Sequence, residues 1–147
     1  MAKVLLVEDS ATQAVEIRML LEEGHHQVLH VANGRLALDV LAKEPIELVV
    51  TDLEMPEMNG LELVEAMKTD FEFIPAVLVT ARGSEELASK ALQSGAAGYV
   101  PKDHLQSLLN DTIVDVLGVI RTDASFAKLI STLQKNVFVF DLPNDST

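Results

Sequence analysis

Five times between residues 3 and 121, a short apolar run is followed by a longer segment whose apolar residues recur at helical spacing. "KVLLV" (3–7) precedes "SATQAVEIRMLLEEG" (10–24), and "QVLHVA" (27–32) precedes "NGRLALDVLAKE" (33–44). "IELVVTD" (46–52) precedes "GLELVEAMKT" (60–69), and "PAVLVTA" (75–81) precedes "SEELASKALQSG" (84–95). "AGYVP" (97–101) precedes "DHLQSLLNDTIVDVLGVIR" (103–121). Punctuation agrees with this division. Ser10 suits an N-cap, Ser84 with Glu85 and Glu86 suits an N-terminal turn, Gly24 suits a C′ stop, Pro45 ends the second helix, and Pro75 opens the fourth strand. Continuous apolar strands alternating with helices predict a doubly wound parallel α/β sheet with helices on both faces. Right-handed crossovers leave few topologies, and in each of them ligands bind beyond the carboxyl ends of the strands.

The chain has 147 residues, enough for one ordinary domain with a real core. A net charge of −12 opposes direct binding to nucleic acid. There is no cysteine, so disulfides and thiolate metal sites are excluded, and a reducing compartment is expected. Neither a signal peptide nor a run long enough to cross a bilayer is present, so a cytoplasmic protein is expected, with no membrane partner.

The strand ends therefore carry the interest. The first strand runs into Glu8 and Asp9, the third ends in Asp52, the fourth in Thr80, and the fifth is followed by Lys102. Each alone has an ordinary explanation. Asp52 suits a turn or cap, and Glu8–Asp9 suits the N-terminus of the first helix. Thr80 is a good strand former, and Lys102 is a typical solvated charge. In a parallel sheet, however, all five share one edge. Three carboxylates there repel, and a hard divalent cation with oxygen ligands, Mg²⁺, offsets them. A lysine and a hydroxyl beside that cation suit phosphoryl oxygens, with Asp52 as the nucleophile forming an acyl phosphate.

The segments "LLVEDS" (5–10), "VVTDLEMPEMNG" (49–60), "VLVTA" (77–81) and "GYVPK" (98–102) resemble, in order and spacing, the receiver domains of bacterial two-component response regulators. The resemblance covers roughly residues 2 to 121 and implies a flavodoxin-like sheet in the order 2-1-3-4-5. It further implies that Asp52 accepts a phosphoryl group from a sensor histidine kinase or phosphotransfer protein. Asp9, Asp52 and the main-chain carbonyl of Glu54 would bind Mg²⁺, with Glu8 acting through water. Thr80 and Lys102 would hold the phosphoryl oxygens. Tyr99 falls at the family's aromatic switch position, which couples Thr80 to the face of the fourth helix, fifth strand and fifth helix; half-buried packing is its plain alternative. Glu54 and Arg82 take the variable positions that tune hydrolysis, and are expected to pair over the site. The chain departs from the family after Lys102, where Asp103 replaces the usual proline and suits an N-cap for the fifth helix.

A switch that modifies only itself, rather than an enzyme, is thus expected, controlling an output domain or protein partner. A phosphatase with an aspartate nucleophile would want a second Asp two residues on, where Glu54 stands. A nucleotide-binding domain would want a glycine-rich loop after the first strand, which is missing. A pseudo-receiver that only binds partners would not need the intact acidic pair, Asp52, Thr80 and Lys102. Met55 and Met58 read as packing, and the four histidines lack metal spacing. The receiver reading covers residues 1–121. Residues 122–147 read as an extension, a helix and then a strand ("VFVFDLPNDST"), that is a linker, begins a truncated output domain, folds back, or forms a homodimer; its apolar stripe at 126, 129, 130 and 133 needs burial.

Overall fold

The computed structural model describes residues 2–118. The elements alternate as β1 (Lys3–Val7), α1 (Ala11–Glu23), β2 (Gln27–Val31), α2 (Gly34–Lys43), β3 (Leu48–Asp52), α3 (Gly60–Asp70), β4 (Ala76–Thr80), α4 (Glu85–Gln93) and β5 (Gly98–Pro101). A 3₁₀ turn, Lys102–His104, follows, and then a fifth helix, α5, over residues 105–118. All strand pairs are parallel, in the order β2-β1-β3-β4-β5. The expected sheet and strand order are therefore both present. The predicted helix and strand of residues 122–147 lie outside the described residues.

Burial explains the apolar runs. Every residue of β3 and β4 is buried, and so are four of the five in β1, because these strands lie inside the sheet with helices over both faces. The edge strands β2 and β5 are only partly buried, each with a single buried residue. Leu5, Val7, Val49 and Leu78 pack with Leu63, Val64 and Met67 of α3 and with Ala88 and Ala91 of α4. Alternate residues such as Leu6 and Val50 point the other way, as the period of two requires, and α1 and α5 contribute buried Ile17, Leu21, Leu109 and Ile113. Among the described residues no helix is long and apolar enough to cross a membrane.

The caps are partly as expected. Ser10 Oγ accepts from the Gln13 amide at the start of α1. Asn33 Oδ1 accepts from Leu36, and Asn59 with Glu62 forms a complete capping box on α3. One expectation is corrected. Gly24 is not a left-handed stop: its φ is −80°, and the left-handed residue is His25 at 68°. What Gly24 supplies is room, because a methyl group there would lie 2.7 Å from Asn110 Oδ1, and the Asn110 amide donates to Leu20 O across α1 and α5. Ser84 opens α4 without a side-chain cap, and its hydroxyl is buried without a partner among the described residues.

Gly60 matters for the site. Its amide donates to Leu53 O at 2.7 Å, drawing the start of α3 onto the backbone just past Asp52. A methyl group at Gly60 would meet Asp52 O at 2.8 Å and Leu53 Cα at 3.0 Å, both backbone atoms that cannot yield without moving the strand end. At Gly34 the obstacle is the flexible side chain of Met58. Gly60→Ala is therefore expected to lose about 1–3 kcal/mol of stability, and Gly34→Ala clearly less. Urea denaturation of the two variants checks this; equal losses would contradict the packing described.

Candidate functional site

Strand register, not proximity in sequence, assembles the site. Val7 pairs with Thr51, which sets Glu8 level with Asp52. Asp52 pairs with Val79, so Thr80 stands one residue beyond it, and Thr80 pairs with Pro101, so Lys102 stands one beyond again. Glu8, Asp52, Thr80 and Lys102 thus come together at one edge of the sheet, at the carboxyl ends of the strands. Asp9 joins them. Carboxylate oxygens of Glu8, Asp9 and Asp52 all lie within 4.8 Å of one another, the spacing of a group able to hold one metal ion.

Burial makes the cluster costly without a cation. Glu8 and Asp52 are buried, while Asp9 is exposed. Lys102 Nζ sits 3.2 Å from Asp52 Oδ2, and one ammonium cannot neutralise three carboxylates. Glu8 Oε2 accepts from the Ser10 amide at 3.0 Å, while Oε1 is buried with no partner among the described residues. Burial, then the nearby Asp52 and Asp9, push the Glu8 carboxyl up to about 7; the Ser10 amide and Lys102 act in the opposite direction. An orphaned carboxylate oxygen beside two further carboxylates, with neither thiolate nor imidazole in the group, fits a hard oxygen-seeking divalent cation.

The remaining predicted residues are placed as follows. Thr80 is buried at the end of β4, and among the described residues its hydroxyl engages no partner. Tyr99 is half-exposed on β5 and lines, with Thr80 and Lys102, a cleft of about 570 Å³ between the β4–α4 and β5–α5 connections. Glu54 is exposed in the loop after Asp52. The expected pairing of Glu54 with Arg82 is corrected. Arg82 Nε lies 3.2 Å from Asp103 Oδ2, and among the described residues no ion pair joins it to Glu54. Asp103 is corrected with it. It lies inside the 3₁₀ turn and holds Arg82 across two neighbouring loops, where an N-cap had been expected. Met55 and Met58 pack, as expected.

One residue was missed. Gln13 Oε1, on α1, accepts from Lys102 Nζ, so the lysine is held between a carboxylate and a neutral amide. The Ser10-x-x-Gln13 spacing signals a capping box, which sends the amide to the helix start and away from residue 102.

Similarity to known proteins follows the same boundaries. The family described as "Response regulator receiver domain" matches residues 4–114. A chemotaxis protein CheY homolog of Campylobacter jejuni is 38% identical over 120 residues, covering 79% of this chain and 92% of that protein. The response regulator protein FleR of Pseudomonas aeruginosa is 37% identical over 112 residues, covering 76% of this chain and 24% of FleR. Among solved structures, the signal receiver domain of a signal transduction histidine kinase from Syntrophus aciditrophicus superposes with a TM-score of 0.73 at 32% identity, covering 80% of this chain and 91% of that one. The chemotaxis response regulator CheY4 of Vibrio cholerae gives 0.67 at 29% identity, covering 82% and 98%.

The raised Glu8 carboxyl has a defined effect on stability. Its unfolded value is 4.5 and its folded value about 7. The folded state therefore holds the extra proton, and its stabilising effect is complete below 4.5 and lost as pH rises through 7. In metal-free protein, raising the pH from about 5 to about 8 is expected to remove about 1–3 kcal/mol that Glu8→Gln retains. Parallel pH profiles of wild type and variant, by chemical denaturation in chelator, would contradict this.

Proposed function

From the premise that this chain belongs to the response regulator receiver family, we propose that it is a phosphorylation-dependent signalling switch whose phosphoacceptor is Asp52. The carrying observation is the 3.2 Å contact of Lys102 with Asp52 inside a three-carboxylate group. Asp9, Asp52 and the main-chain carbonyl of Glu54 would hold Mg²⁺ directly, with Glu8 acting through water. When bound, the cation supplies charge neutralisation for the incoming phosphoryl group. Asp52 then attacks phosphorus through a carboxylate oxygen, the bond to the donor's nitrogen or oxygen breaks, and the donor leaves with that electron pair. Lys102 neutralises charge on the transferred group's oxygens, and the Thr80 hydroxyl donates to one of them.

Thr80 and Tyr99 border one cleft, so drawing Thr80 toward Asp52 makes room for Tyr99 to move inward and reshapes the α4–β5–α5 face. The donor is a sensor histidine kinase or phosphotransfer protein, and the reader of the altered face is an output domain, a partner protein or a second copy of the chain. The chain's own activity is confined to gaining and losing the phosphoryl group. Glu54 and Arg82 flank the entrance and tune the lifetime of the acyl phosphate, with Arg82 starting from Asp103.

With Mg²⁺ and acetyl phosphate, wild type is expected to gain one labile phosphoryl group, seen by intact-mass spectrometry. Asp52→Asn gains none, and Lys102→Ala gains it at least about tenfold more slowly. An Asp52→Asn variant labelled as fully as wild type would overturn the assignment. Arg82→Ala, which removes an exposed charge, is expected to change the decay rate of the adduct by about two- to fivefold without preventing its formation. Radiolabel decay identical in wild type, Arg82→Ala and Glu54→Ala would remove both residues from that role.

A further inference from the structure

The start of α1 carries half of a motif that α3 carries whole. In α3, Asn59 Oδ1 accepts from the Glu62 amide at 2.8 Å, and Glu62 Oε1 accepts from the Asn59 amide at 2.9 Å. In α1, Ser10 and Gln13 stand at the same two positions, and Ser10 Oγ accepts from the Gln13 amide at 3.3 Å. The return arm is absent. The Ser10 amide donates to Glu8 Oε2 at 3.0 Å, and Gln13 Oε1 accepts from Lys102.

Two donors thus bid for the same amide oxygen. The Ser10 N–H stands where the helix geometry would offer it to Gln13, and Glu8 alone occupies it. Glu8 also belongs to the carboxylate group, and its second oxygen is buried without a partner among the described residues. A cation taken up at the free Oε1 draws charge from Oε2 and weakens its hold on the Ser10 amide, and an amide left without an acceptor at a half-buried position costs about 1–3 kcal/mol. Rotation of the Gln13 side chain within its own helical turn restores that acceptor.

We propose that Gln13 is a positioning residue whose amide oxygen exchanges between the Lys102 ammonium and the Ser10 amide. Commitment of Glu8 to a divalent cation at the acidic group thereby releases Lys102 to the phosphoryl oxygens on Asp52. At rest Gln13 holds Lys102 with a neutral acceptor, which adds no fourth negative charge to the site. Once Glu8 turns to the cation, Gln13 closes the capping box, and Lys102 keeps only anionic partners. The inference rests on the reading of the carboxylates as a Mg²⁺ site.

Amide hydrogen exchange at Ser10, followed by NMR on the full chain, tests it with Mg²⁺ alone as the probe. Gln13→Ala, and the similarly sized Gln13→Met, are expected to exchange at Ser10 like wild type in chelator. In saturating Mg²⁺ they are expected to exchange about tenfold faster than wild type. Gln13→Glu, which can close the box as Glu62 does, is expected to keep wild-type protection in Mg²⁺. Calorimetric titration of wild type separates the two levels of the argument. Absence of Mg²⁺ binding overturns the metal-site reading and the exchange with it. Mg²⁺ binding with unchanged Ser10 exchange in Gln13→Ala and Gln13→Met overturns the exchange alone. Equal acceleration with and without Mg²⁺ overturns it too, since Gln13 would then be an ordinary cap.

Discussion

Repulsion among three carboxylates at one edge of a parallel sheet is the constraint around which the site is arranged. The sheet is what forces them together. Its inner strands are buried on both faces, so a slip of one residue would exchange the apolar side chains of the two layers, and the register is firmly held. That register fixes Glu8 beside Asp52 and sets Lys102 one step past the end of β5. Among the described residues the packing relieves only part of the charge. Lys102 meets one carboxylate and the Ser10 amide one oxygen of Glu8, and what is left is an elevated Glu8 carboxyl and a buried oxygen without a partner among the described residues. A fold gains no stability from such an arrangement, which is the physical reason to look for a cation and a transferred anion as its purpose.

Much of this was legible in the sequence, because the relevant signals are local. Apolar runs such as Val49–Val50 ending in Asp52 mark a buried strand and its carboxyl end together. Five such runs separated by helical segments leave one sheet edge on which Glu8, Asp9, Asp52, Thr80 and Lys102 can meet. The cap at Ser10 obeys rules that act within four residues. What could not be read depends on contacts between distant elements. Gln13 meets Lys102 across 89 positions of sequence, and its nearest local signal directs its amide elsewhere. Arg82 looked available to Glu54, but the 3₁₀ turn after β5 brings Asp103 to it. Gly24 looked like a left-handed stop, and only the neighbouring Asn110 shows that space is what it provides.

The same distinction separates the rigid from the adjustable parts of the site. Asp52 lies in a fully buried strand, pinned from behind by the approach of Gly60. Thr80, Arg82 and Asp103 border or sit on connecting segments, and the Arg82–Asp103 pair is largely solvated and correspondingly weak. A rigid carboxylate with weakly tethered flanking loops suits the switch proposed for it. The added charge finds a fixed place, and the loops can respond without opposing the core. The buried Ser84 hydroxyl just before α4 is one more group without a partner among the described residues.

Borohydride trapping with peptide mapping addresses the proposed phosphoacceptor most directly, because an acyl phosphate is reduced to the alcohol and converts its aspartate to homoserine. After incubation with Mg²⁺ and acetyl phosphate, homoserine is expected at position 52 alone, and is expected to vanish when chelator replaces the metal. Homoserine at another aspartate, or at none while the protein retains bound Mg²⁺, would contradict the assignment of Asp52.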